Sequence, residues 1–195
     1  MFGPPKPRAR YVRLSAEDRR FSMIEAALAG IAEGGIRAFT VDNICERASV
    51  SRGLITHYFG TMNALLAALY SHIYKDFLPD AEPASVLTLL DRFFAPQAFN
   101  RKSLNVWLTL WSEISNTPEL RSEHSAQYLR YHSLGAQALR QSSPHSFDAD
   151  ALAASLICLV DGLGLQHCID PDTMPASRAR QSCLALIEPY TGPLA

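Results

Sequence analysis

Apolar residues along the chain recur at the helical spacing of three and four, and no run alternates with period two, so the pattern predicts an all-α protein of about nine helices. A first helix starts at a Ser15 cap, carries Glu17 and Asp18 in its first turn and stops at Gly34 and Gly35; its stripe is Phe21, Ile24, Leu28 and Ile31. Thr40 caps a short helix from Val41 to Ala48, with Val41, Ile44 and Ala48 inward. After a break at Ser49 and Val50, a third helix runs from Ser51 to Phe59 with Leu54, Ile55 and Phe59 inward. Thr61 caps a fourth, Met62 to about Phe77, packed through Leu65, Leu66, Leu69 and Ile73. Pro79 and Pro83 then punctuate the chain. Beyond them the period predicts helices near Ala84 to Phe94, Asn100 to Asn116, Pro118 to Gln141, Asp148 to Cys168 and Pro175 to Tyr190. The expected organisation is a flexible arm over 1–14, a helix-turn-helix unit over 15–60, and a larger helical unit over 61–195 whose first helix, 61–78, links the two.

Two short helices joined by a tight turn bury little apolar surface, so the arrangement makes sense where the second helix is needed as a projection. Its outer face presents Ser51, Arg52, Gly53, Thr56, His57 and Tyr58. Short donors, an Arg able to hold a phosphate or read a guanine edge, and aromatics further along suit a DNA major groove. The competing reading is an ordinary exposed helix.

Charge sharpens this picture. The formal net charge is -1, yet residues 1–60 hold nine Lys or Arg against six acids, while the rest holds nine against thirteen. A basic end on a nearly neutral chain suggests a local polyanion contact. Arg8, Arg10 and Arg13 serve either as a minor-groove arm or as a soluble tail.

Hydrophobic content of 48% with 19% charged residues is globular composition. No apolar run is read as reaching the roughly 20 residues of a membrane span, and the start of the chain lacks the apolar segment of a signal peptide, so a cytoplasmic protein is expected. Cys45, Cys158, Cys168 and Cys183 form no CxxC pair and read as buried thiols of a reducing compartment, with no metal site. No G-x-S-x-G, no H-E-x-x-H and no Gly-rich phosphate loop is present, so neither an enzyme nor a cofactor is expected.

In the larger unit Trp107 and Trp111 lie four apart on one helix face, and His124, Tyr128 and Tyr131 align on the next helix. Such rings form either an aromatic core or a cage attracting a quaternary ammonium by cation-π contact.

The run "TVDNICERASVSRGLITHYFGTMNALL", residues 40–66, resembles the helix-turn-helix of the TetR family of transcriptional repressors, matching at Thr40, Ile44, Ala48, Val50, Ser51, Gly53, Tyr58 and Phe59. Ser49 stands where that family usually has Gly, Met62 where it usually has Lys, and Thr56 at a place often aromatic. "VWLTLWSEISNTPEL" and "LICLVDGLGLQHCI" resemble the BetI-type subgroup, repressors of choline and glycine betaine metabolism. The resemblance implies phosphate contacts from Thr40, Ser51 and Tyr58, and base-edge contacts from Arg52, Gly53, Thr56 and His57. It also implies a homodimer through the last two helices, binding double-stranded operator DNA and released by a small effector. Choline or a related quaternary amine, held by Trp107, Trp111, His124, Tyr128 and Tyr131, is the leading expectation. An unrelated apolar or aromatic metabolite or a drug is the alternative, and a non-sensing architectural DNA-binding protein is the rival of a different class. Asp161 is counted with them as a candidate effector contact, but the resemblance places an Asp-Gly pair in TetR repressors with many ligands, which favours a hydrogen-bonded acid near the dimer interface as its role.

Overall fold

The computed structural model describes residues 15–77, 85–143 and 145–194. The expected arm over 1–14 and the boundary at Pro79 and Pro83 lie outside these residues.

Among the described residues nine α-helices follow one another: α1 (Ala16–Gly34), α2 (Val41–Ala48), α3 (Arg52–Phe59), α4 (Met62–Phe77), α5 (Val86–Phe93), α6 (Arg101–Ile114), α7 (Pro118–Gln141), α8 (Ala149–Ile169) and α9 (Ala176–Thr191). A 3-10 turn, Gly35–Ala38, joins α1 to α2. Their ends are set by local chemistry. Ser15 Oγ accepts the Asp18 N-H while the Asp18 carboxylate accepts the Ser15 N-H, a reciprocal capping box. Thr40, Thr61, Ser85, Asn100 and Asp148 each accept a first-turn N-H of the helix that follows them.

α1 packs on α2, α4 and α6, and α4 lies against α1 and α3 at one end and α7 at the other. Within α1 the buried set is Met23, Ile24, Ala26, Ala27, Gly30 and Ile31. Phe21, expected in that stripe, is exposed and instead sets its ring edge-on to His72 of α4, 5.3 Å between centroids. The stripe is thus rotated toward Met23 and Ala27, because α1 is gripped on two sides and three small residues let neighbours approach.

α8 corrects two further expectations. Its mean hydropathy over 18 residues is 1.6, so a run apolar and long enough for a membrane span does exist, at Ala149–Ile169. This helix lies between α7 and α9 and also touches α6. Its exposed face reads Ala151, Ser155, Cys158, Gly162, Leu165 and Ile169. Cys158 is therefore exposed, whereas Cys45, Cys168 and Cys183 are buried as expected. On a helix apolar all round, periodicity does not tell which face the protein covers.

Candidate functional site

The recognition face is built by a short chain of contacts. Asn43 Nδ2 donates to the Ala38 carbonyl at 2.7 Å, and its Oδ1 accepts the Arg47 Nε-H at 2.9 Å. Arg47 also pairs with Glu33 of α1 at 2.6 Å, so one turn of α2 is fastened to the 3-10 turn through Asn43 and to α1 through Arg47. Ser49 then takes a left-handed conformation, φ 53°, and the Val50 N-H donates back to the Cys45 carbonyl at 3.0 Å. This αL cap turns the chain into α3. Ile55 is buried beneath it, and Arg20 of α1 sits 5.0 Å over the Phe59 ring.

Ser51, Arg52, Gly53, Thr56 and His57 are left exposed on one side of α3, and Thr40 is exposed at the start of α2. Tyr58 is half-buried and meets the His57 ring edge-on at 5.1 Å. The Thr40 hydroxyl accepts the Asn43 N-H and keeps its own proton for an outside acceptor, while Ser51 caps α3 without using its hydroxyl. The Arg52 guanidinium pairs with Asp42 of α2 at 2.6 Å, which holds it toward the α2 side of the helix. All seven residues read from the sequence thus fall on or beside one face. Met62 is half-buried against the core, so the position offers no cation to a phosphate.

The second site lies among α4, α5, α6, α7 and α8. Trp107 and Trp111 stand 6.0 Å apart, and Trp107 meets Tyr74 at 4.9 Å and Tyr70 at 5.8 Å, both edge-on. A chamber with an empty volume of about 580 Å³, its mouth included, is bounded by Phe93, Phe99, Leu104, Trp107, Leu108 and Val160 together with Tyr74, Trp111, Tyr131 and Asp161. A more open and more polar chamber, bounded by Ile114, Ser115, His124, Tyr128 and Ile157, shares those last four residues. All six residues singled out from the sequence therefore border one of two adjoining spaces. Tyr70, Tyr74, Phe93 and Phe99 were missed. Tyr70 and Tyr74 carried a signal, a four-residue spacing on α4 like that of the tryptophans; Phe93 and Phe99 carried none.

Electrostatics single out Asp161. Burial pushes its carboxyl up to about 6, and among the described residues no hydrogen bond or ion pair reaches it. Within one subunit and among the described residues, the acid expected to be hydrogen-bonded thus has no such partner and faces aromatic rings. Nearby, the Tyr70 hydroxyl is 2.6 Å from His124 Nδ1. Burial raises the Tyr70 phenol far above its usual range and lowers the His124 pKa, so the neutral phenol donates to a neutral imidazole.

A helix-turn-helix carrying an exposed polar recognition face, on a helical body with an internal chamber, defines a ligand-sensing DNA-binding regulator. Comparison with known proteins makes this specific. Residues 23–69 match the model of the bacterial regulatory proteins of the tetR family, and residues 83–191 match the C-terminal part of the BetI-type transcriptional repressors. The chain belongs to the TetR family, in its BetI-type branch, and is a sequence-specific DNA-binding transcriptional regulator. It is 29% identical over 184 residues to the HTH-type transcriptional regulator BetI of Paraburkholderia xenovorans, covering 88% of this chain and 94% of that one. The BetI of Burkholderia mallei is 27% identical over 173 residues, 84% and 88% of the two chains. Among solved structures, a regulator from Pseudomonas aeruginosa PAO1 aligns with a TM-score of 0.79 at 28% identity over 92% of this chain and 93% of that one. A regulator from Saccharomonospora viridis, in complex with choline, aligns with a TM-score of 0.74 at 25% identity over 88% and 96% of the two.

Proposed function

We propose that this regulator is a homodimeric repressor whose operator release is driven by a quaternary amine, choline or a relative of it, bound beside Asp161. The observation that carries the reading is the half-buried Asp161 carboxylate beside Tyr74, Trp111 and Tyr131, which no hydrogen bond or ion pair reaches among the described residues. A half-buried carboxylate facing aromatic rings is only partly hydrated, and a cation that π-faces also attract offsets that loss. The choline-bound relative supports the same ligand class. The reading places the protein in the cytoplasm, where operator DNA is, and assigns it no catalysis.

On the DNA side, Thr40, Ser51 and Tyr58 hold phosphates while Arg52, Gly53, Thr56 and His57 meet base edges. One such helix covers only a few base pairs, so a symmetric dimer is needed to span two half-sites. The exposed α8 stripe from Ala151 to Ile169, spaced by four and three, suits close packing against its own copy, with α9 alongside. A second copy also accounts for the apolar exposed face of α8 without a lipid environment. The effector then favours the dimer geometry whose recognition helices no longer match the groove, by its differential affinity for the two states.

The test is fluorescence polarisation on DNA from upstream of the protein's own gene, at two salt concentrations, with and without millimolar choline. Tight, salt-sensitive binding that choline weakens is expected. Tight binding indifferent to choline and to other quaternary amines rules out the effector. Arg52→Ala should weaken specific binding by about ten- to a hundredfold with the fold intact, as befits a loss of roughly 1–3 kcal/mol.

A further inference from the structure

The two spaces that meet at Asp161 differ in chemistry. Ser115, His124 and Tyr128 edge the open one, whereas Phe93, Phe99, Leu104, Leu108 and Val160 surround the other, in which Asp161 is the one charged side chain. Choline bound at Asp161 would leave the apolar space unfilled or turn its hydroxyl into a wall without a polar partner. Either outcome forfeits the apolar contact that the chamber offers.

We infer that the effector is an amphiphilic cation: an ammonium head against Asp161, Tyr74, Trp111 and Tyr131, and a hydrocarbon or acyl tail in the chamber formed by Phe93, Phe99, Leu104, Leu108 and Val160. The inference rests on the cation-site reading above and adds the tail. The geometry orients such a ligand in one way, because the carboxylate lies on the wall common to both spaces. The tail runs toward the chamber closed by α5 and α6, and the far side of the head, including any small polar substituent, faces His124 and Tyr128. Gly164 holds the chamber open on the α8 side, since a methyl group there would come within 3.1 Å of Leu104 Cδ2.

The test is calorimetric titration of the full-length protein with tetramethylammonium, choline and alkyltrimethylammonium ions from propyl to octyl, each below its micellar concentration. Affinity should rise about threefold to fourfold per methylene, the transfer free energy of a buried CH₂, until the chamber is full. Val160→Phe, which narrows the chamber, should flatten that rise relative to choline measured on the same variant; Leu108→Phe serves the same purpose if the first variant misfolds. Asp161→Asn should weaken every cation, and alcohols of equal tail length should bind poorly. If choline and tetramethylammonium bind but longer tails bring no gain, the tail assignment is overturned and the cation site stands. If the gain persists in both filled variants, or alcohols bind as well as the cations, the chamber assigned to the tail is wrong. If no cation binds the wild-type protein, the cation site itself fails and this inference goes with it.

Discussion

Two residues carry conformational or electrostatic costs. Ser49 sits at φ 53°, ψ 45°, a region where an L side chain costs about 1–2 kcal/mol that glycine avoids. Glycine's greater unfolded-state entropy returns about 0.5–1 kcal/mol of this, so Ser49→Gly should stabilise the protein by about 0.5–1 kcal/mol in a urea titration. No change would mean that the serine is held by something beyond its backbone. Burial pushes the folded Asp161 carboxyl up to about 6 from an ordinary value of 3.8. The folded state therefore binds more protons than the unfolded state between these values. The contribution of this one group to stability is therefore fully present below about pH 4 and is lost as pH rises toward 6, by ~3 kcal/mol at most for a shift of this size. Asp161→Asn should remove that slope and raise the melting temperature at pH 7, and cation affinity of the wild type should fall as pH drops below about 6. A pH-independent affinity would show that the carboxylate takes no part.

At the scale of elements, the approach of α2 to α1 depends on Gly30. A methyl group there would stand 2.9 Å from Asn43 Nδ2 and 3.4 Å from the Ala38 carbonyl oxygen, the two groups whose hydrogen bond anchors α2. Gly30→Ala should therefore destabilise the domain by about 1–3 kcal/mol, as overpacking does, and lower operator affinity by tilting α3. Denaturation and polarisation on the same variant check this, and an unaltered protein would show that the junction yields freely. The helices themselves were legible in the sequence, since Thr40, Thr61 and Asn100 announce their starts and Gly34 and Gly35 the end of the first. The face that each helix buries was less legible. Phe21 is larger and more apolar than Ala27, yet Ala27 is buried and Phe21 exposed, because close helix contact at a crossing selects small side chains.

At the scale of the molecule, the dimer proposed through the exposed stripe of α8 can be tested at one residue. Gly162 lies at its middle, exposed and with nothing within 4 Å of an added Cβ, so a single subunit tolerates a larger residue there. Gly162→Glu should leave the subunit folded, shift it to a monomer in sedimentation velocity, and reduce operator affinity at least a hundredfold by removing the second half-site. A folded, dimeric variant with full affinity would place the dimer interface elsewhere. The same substitution separates assembly from sensing, because Gly162 does not border the chamber that Asp161 and Gly164 face.

By itself the sequence determined the helical class, the approximate helix boundaries, and which polar residues from Thr40 to Tyr58 lie on the outer side of the two-helix turn, because caps, periodicity and a tight turn are local and a short exposed helix shows its chemistry in residue order. It also supplied the Trp and Tyr spacings of the sensing body. Only the tertiary structure decided what those rings enclose. Tyr70, Tyr74, Phe93 and Phe99 come from elements distant in the chain, and the surroundings of Asp161 depend on which of the described residues the neighbouring helices bring to it. The exposure of Cys158 was settled in the same way: on a helix apolar on every side, burial follows from which neighbours dock, and docking is a property of the packed molecule.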